Sequence, residues 1–170
     1  CLDFKGADYI NVPTDAIGTL NNEVTISFWT YGNPDVQPKN NYNLEGLDAN
    51  NNRVLNVHLP WSNGNIYWDA GNSGSGSYDR IEKAALSLEY EGAWTHWAFT
   101  KNAATGIMNI YKNGILWHTG SAKFRTMAGI TKFLIGIGGN TTNPDDYYNG
   151  MMKEFAVFNK ALDQTAIAAL

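Results

Sequence analysis

Residues 94–120 read WTHWAFTKNAATGIMNIYKNGILWHTG, and this stretch decides the fold. Between Trp94 and Lys101 the side chains alternate. Thr95, Trp97 and Phe99 point one way, and His96, Ala98 and Thr100 the other. Period two sustained over such a length is the signature of a strand. Asn102 to Gly106 interrupts it with turn formers, and the alternation resumes with Met108 and Ile110 opposite Asn109 and Tyr111. Asn113-Gly114 then predicts a tight hairpin, because both residues tolerate positive φ. Ile115 to Thr119 is the return strand. The stretch is expected to form a three-strand meander at the centre of one sheet, with Trp97, Phe99, Met108 and Ile110 in one buried cluster.

The same period recurs on both sides of it. Val24, Ile26 and Phe28 face away from Thr25, Ser27, Trp29 and Tyr31, which predicts a strand with two occupied faces. Leu55, Val57 and Leu59 form an apolar set against Asn56 and His58. Further strands are expected over Cys1–Lys5, Asp8–Val12, Tyr42–Asp48, Asn65–Asp69, Tyr78–Ile81, Thr131–Ile137 and Gly150–Phe158. Lys83–Tyr90 has weak helical character. Asp163 is placed to cap a final helical turn, with Leu162 and Ile167 as a hydrophobic staple. GNSGSGS at residues 71–77 is too poor in side chains to be a core segment.

Composition narrows the options. A chain of 170 residues fits one domain, residues 1–170, with room for a sizeable core. Only 16% of residues are charged, below the usual quarter, and 17 glycines suit a chain with many turns. A net charge of −4 argues against nucleic acid, which needs a basic stripe. No apolar run reaches membrane-spanning length. One cysteine excludes an internal disulfide framework. Cys1 admits two readings: a lipid-modified terminus, or a small side chain at the boundary of a module within a longer protein. Leu2 to Phe4 already reads as strand, where a lipid anchor would lead into a flexible tether, and this favours the second.

W-x-H-W-A-F-T-K followed by G-x-M-x-I-Y-x-N-G-x-L resembles the laminin-G-like, concanavalin A-like β-sandwich domains of bacterial surface and secreted proteins. The opening LDFKGADYI at residues 2–10 is similar to that family's first strands. Gly150-Met151-Met152-Lys153-Glu154-Phe155 and Phe158-Asn159-Lys160-Ala161-Leu162 resemble its last strand and short helix. The resemblance implies an all-β chain: an antiparallel two-sheet β-sandwich of jelly-roll type with a short C-terminal helix. It also implies an extracellular or cell-surface setting. It says little about function, because one fold hosts sugar binders, protein binders, enzymes and spacers.

Three chemistries are open to residues of these types. Relatives that hydrolyse β-glucans carry alternating acids on one strand; the nearest pair here is Glu45 and Asp48. A spacing of three puts them on opposite faces, where they cannot flank one glycosidic bond. No nucleophile elbow is present, so no enzyme activity is expected. His58, His96 and His118 are too scattered for zinc. Calcium is the ion the resemblance raises, held where the first and last strands meet. There Lys5 and Lys153 stand in place of the family's aspartates, and calcium needs oxygen ligands. Asp8 and Glu154 remain there but are free to pair with those lysines. Asp145 and Asp146 are a separate candidate pair for calcium, and no other cofactor is expected.

Sugar binding is the third. Sugars are held by aromatic faces against their apolar C–H faces and by polar groups on their hydroxyls. Asn56, His58, Trp61, Asp69, Tyr78 and Arg80 supply that mixture, and Trp68 is assigned to the core. The alternative for Asp69 and Arg80 is a structural ion pair closing the glycine-rich loop. Tyr147, Tyr148 and Asn140 form a second candidate rim. The expected function is non-catalytic carbohydrate binding, with a glycan or polysaccharide and other domains of the same polypeptide as partners. The competing reading is a protein–protein adhesion or spacer domain.

Overall fold

A computed structural model describes residues 1–72, 77–138 and 146–170. Among these residues, twelve strands make two six-stranded antiparallel sheets. The first sheet runs β1 (Leu2–Lys5), β12 (Asn149–Phe158), β3 (Glu23–Gly32), β8 (Thr95–Asn102), β9 (Ile107–Lys112), β10 (Ile115–Gly120). The second runs β2 (Ile10–Val12), β11 (Lys132–Ile135), β4 (Leu44–Leu47), β5 (Arg53–His58), β6 (Asn65–Ala70), β7 (Asp79–Ala84). The architecture is the antiparallel sandwich of jelly-roll type expected from the sequence.

Alternation explains what lies between the sheets. Val24, Ile26 and Phe28 of β3 and Trp97 and Phe99 of β8 meet Leu55, Val57, Ile66, Trp68 and Phe133 from the facing sheet, all fully buried in one cluster. Phe28 stacks on Phe99 with ring centroids 5.7 Å apart. The Trp68 indole N–H crosses the gap to donate to the Thr100 carbonyl at 3.1 Å. Met108 and Ile110 join the same cluster, as expected. Lys101 continues the inward set of β8 and is fully buried. Its ammonium donates to the Ala70 carbonyl at 2.8 Å and to Asp79 at 2.7 Å, so the charge is paired rather than orphaned.

The hairpin after β9 forms as predicted. Asn113 and Gly114 both take positive φ, 50° and 78°, which matches the twist of the flanking strands. The Asn113 side chain also accepts from the His96 backbone at 3.0 Å. The meander does not lie at the centre of its sheet, however. β3 and β8 are the central strands, and the meander runs outward from β8 to the edge strand β10. Long-range pairing with β3 and β12 sets this, and local pattern carries no sign of it.

Other boundaries shift for similar reasons. β7 runs to Ala84, into the segment expected to be helical, because its residues pair with β6 up to Asn65. Only Ser87–Tyr90 forms a helical turn (α1). The C-terminal turn α2 (Gln164–Ile167) is capped by Asp163, which accepts from the Ala166 N–H at 2.9 Å. Leu162 and Ile167 pack together on Ala98 and Tyr111, on the outer side of the first sheet.

Candidate functional site

The site is a consequence of register. Glu45 of β4 lies opposite Asn56 of β5, Asn56 opposite Asp69 of β6, and Asp69 opposite Arg80 of β7. Their strand neighbours Leu44, Leu55, Trp68 and Ile81 point into the core, so this polar row lies on the outer face of the second sheet. His58 and Tyr67 form the adjacent pair on the same face. One further residue reaches it through a bulge. Gly46 pairs with Leu55 but Leu47 pairs with Arg53, so Val54 is the extra residue. That extra residue turns Arg53 outward, where plain alternation would have grouped it with Leu55 and Val57.

Asp69 is the centre of the network and its side chain is wholly buried. Arg80 grips it with two hydrogen bonds, Nε to Oδ1 at 2.6 Å and Nη2 to Oδ2 at 2.7 Å. Arg53 donates from Nη1 to the same Oδ2 at 2.7 Å and from Nε to Glu45 at 2.9 Å. Asn56 adds a donor to Asp69 at 3.3 Å. Burial opposes the charge on Arg53, but Asp69 and Glu45 outweigh it and its pKa is raised. Arg80 is raised chiefly by its hydrogen bonds to Asp69. Both guanidinium groups lie on aromatic rings: Arg80 is 4.6 Å from the Tyr67 centroid and 5.2 Å from that of Tyr78, and Arg53 is 5.1 Å from Tyr78.

His58 lies at the other end of the face. Its Nδ1 is 2.6 Å from the Asn41 carbonyl oxygen, which can only accept, so Nδ1 carries the hydrogen. Burial lowers its pKa to about 4. The ring is therefore neutral at pH 7 and its Nε2 is a hydrogen-bond acceptor. Trp61 lies 4.4 Å from the His58 ring, centroid to centroid, and Tyr42 lies 4.6 Å from it. The turn carrying Trp61 is fixed by two backbone bonds, Trp61 N–H to Asn65 at 2.9 Å and Gly64 N–H to Trp61 at 2.8 Å. Together Tyr42, Arg53, His58, Trp61, Tyr67 and Arg80 line a cleft of about 250 Å³.

Of the six residues expected at a sugar site, His58, Trp61 and Arg80 line this cleft. Asn56 and Asp69 lie beneath it, fully buried, and Asp69 is bonded to both arginines. Tyr78 supports both guanidinium groups from the side. Tyr42, Arg53 and Tyr67 escaped the sequence reading. Tyr67 shares the face of Asp69 by simple alternation and could have been found. Arg53 depends on the bulge, and its only signal was a charged residue in an otherwise apolar set.

The remaining candidates are dispersed. Tyr148 is a core residue, edge-to-face with Phe4, so it cannot form an exposed rim as the sequence suggested. Tyr147 lies 6.4 Å from Tyr9, centroid to centroid. Asn140, Asp145 and residues 73–76 of the glycine-rich loop lie outside the described residues. Asp146 uses its carbonyl to accept from the Tyr42 N–H at 3.2 Å. Asp48 closes a turn by accepting from the Asn50 and Asn52 N–H groups at 2.9 Å. At the terminal strands, Lys5 lies 3.7 Å from Asp3, and Lys153 lies 3.7 Å from Glu154. Asp8 accepts from the Lys5 backbone at 3.0 Å. Among the described residues no three His, Cys, Asp or Glu side chains group as metal ligands.

The fold and the sequence agree on a class. The family model described as the concanavalin A-like lectin/glucanases superfamily matches residues 4–168, and the chain belongs to that family. Among solved structures it is similar to domain 4 of AbnA, an extracellular arabinanase from Geobacillus stearothermophilus, in complex with arabinotriose. That match has 18% identity and a TM-score of 0.73, over 98% of this chain and 74% of that one. It is also similar to the ligand-binding domain of botulinum neurotoxin serotype D in complex with N-acetylneuraminic acid. Identity there is 22% and the TM-score 0.71, over 95% of this chain but only 39% of the toxin domain. A SAP-like pentraxin from Limulus polyphemus matches at 16% identity and a TM-score of 0.69, over 98% of this chain and 78% of the pentraxin. No curated protein matches the chain in sequence. At these identities the structural likeness speaks for the fold. No helix among the described residues is long and apolar enough to cross a membrane.

Proposed function

We propose that this chain is a non-catalytic glycan-binding module, a single domain of a secreted or cell-surface bacterial protein, and that its ligand lies in the cleft on the second sheet. The observation that carries the reading is the lining: aromatic rings and hydrogen-bonding groups of both senses meet in one shallow space. Two similar structures hold sugars in their own domains, arabinotriose and N-acetylneuraminic acid, which supports the same class of ligand here.

Catalysis is disfavoured by the geometry. Glu45 is committed to Arg53 and Asp48 to its turn, so they do not form the facing carboxylates that glycoside hydrolysis needs. A serine–histidine contact does exist on the first sheet, Ser27 Oγ to His96 Nε2 at 2.7 Å. Ser27 lies in a strand paired on both sides, where backbone N–H groups serve the ladder rather than an oxyanion.

A glycan array on the isolated chain, followed by calorimetric titration of the best binder, tests the proposal. Trp61→Ala is expected to weaken binding by about 1–3 kcal/mol, the range of aromatic stacking on other planar ligands, with little change in melting. Folding lost while binding per folded molecule persists would make Trp61 a core residue and remove the site. An array without a single bound glycan would favour the adhesion or spacer reading.

A further inference from the structure

We infer that the cleft prefers a sugar bearing a carboxylate over its neutral counterpart. This rests on the glycan-binding reading and adds a ligand class to it.

Arg53 and Arg80 both line the cleft, whereas among the described residues no aspartate or glutamate does. Their counterions lie underneath: the Asp69 side chain is 0% exposed and that of Glu45 5%. The four charges sum to zero, so the cluster exerts little long-range pull, in keeping with a chain of net charge −4. At the cleft itself the two cations are nearer the ligand than the two anions. An approaching group therefore meets the positive end of a fixed dipole.

Arg80 is the less compensated of the two. Arg53 has two carboxylates, Glu45 and Asp69. Among the described residues Arg80 has Asp69 alone, and shares it with Arg53. Asp69 occupies the side of the Arg80 guanidinium formed by Nε and Nη2. A guanidinium is planar with five N–H donors, so the end formed by Nη1 and the outer hydrogen of Nη2 points away from Asp69. The contact recorded on that end is the Tyr78 hydroxyl, at 3.4 Å from Nη2. The Arg80 side chain is 34% exposed, and its plane is held by Asp69 and by the rings of Tyr67 and Tyr78. An oriented, exposed fork matches the two oxygens of a carboxylate, and little side-chain freedom is left to lose on binding. His58 and Trp61 then suit the body of the sugar: Nε2 accepts from a hydroxyl and the indole meets a C–H face.

The test uses matched pairs on the folded wild-type chain: trigalacturonate against its methyl ester, and sialyllactose against its methyl ester, both by titration calorimetry and as array spots. The acidic member of at least one pair is expected to bind about tenfold tighter, as one charge-assisted pair would give. The gap should narrow as salt rises from about 50 to about 500 mM, since the contact is partly exposed. Arg80→Gln should bring the two members to within about twofold. Should that variant melt early because Asp69 loses a partner, Arg80→Lys keeps the charge, loses the fork and should still shrink the gap. Equal binding within the pairs, or tighter binding of the esters, overturns the preference while leaving glycan binding intact. Failure of every pair and every array glycan to bind overturns both.

Discussion

The two outer faces of the sandwich are finished in opposite ways. On the first sheet the middle positions are small: Thr25 and Ser27 of β3 beside Ala98 and Thr100 of β8. Small side chains let the C-terminal segment lie directly on the strands. Thr25 Oγ1 donates to the Lys160 carbonyl at 2.6 Å and accepts from the Leu162 N–H at 2.9 Å, and Ile167 buries itself on Ala98 and Tyr111. On the second sheet the corresponding positions are Glu45, Asn56, Asp69 and Arg80, long and polar, and they cover the sheet themselves by bonding to one another. Where the C-terminal segment lies on the first sheet it takes up the hydrogen bonds of the small positions beneath it, whereas the polar row of the second sheet keeps an arginine edge and aromatic rings open to a ligand.

Substitutions separate the two faces from the interior they share. The largest effect is expected from Phe99→Ala, which empties a fully buried site touching Phe28, Trp68 and Trp97 and should cost about 3–5 kcal/mol in denaturant unfolding. Asp69→Ala strikes only the second face. It leaves two guanidinium groups without their common anion and should cost about 3 kcal/mol; a variant as stable as the wild type would mean that the network is not what seals this sheet.

Acid probes the same face. The pKa of His58 is about 4 in the folded chain against 6.5 ordinarily, so between those values the unfolded state binds a proton that the folded state does not. Stability from this residue is full above pH 6.5 and falls as pH drops toward 4, by about 3 kcal/mol in all. His58→Gln should flatten that part of the pH–melting curve, and an unchanged slope would contradict the buried, neutral ring. Ile167→Ala, confined to the first face, should cost about 2 kcal/mol, near the lower end for a buried isoleucine, and should leave glycan binding untouched. A loss of binding there would show that the two faces are coupled.

The sequence made the interior legible because a half-buried strand writes its burial in period two. Trp97, Phe99, Met108 and Ile110 were placed by that rule, and Asn113-Gly114 fixed the turn between their strands. The cap at Asp163 and the packing of Leu162 with Ile167 were legible for the same reason, since both are local. The site was legible in half. His58, Trp61 and Arg80 were named, but whether Asp69 belongs to the ligand or to the frame depends on which neighbouring strands bring cations to it. Arg53 arrives from 16 residues upstream through a bulge at Val54, and neither the partner nor the bulge is visible in local pattern. Lys101 makes the same point in the core: alternation aims it inward, and only Asp79, 22 residues before it, makes that burial tolerable.

Ligand binding in the cleft of the second sheet is tested most directly by tryptophan indole N–H signals. The chain has six tryptophans. Trp61 lines the cleft, Trp29 and Trp94 flank Lys153 on the outer side of the first sheet, and Trp68 and Trp97 are core. Titrating a ¹⁵N-labelled chain with the best glycan from the array should move the Trp61 indole signal and the Arg80 side-chain Nε–H signal, while Trp29 and Trp94 stay in place. Movement of Trp29 and Trp94 with Trp61 unchanged would put the ligand on the opposite sheet and contradict the account.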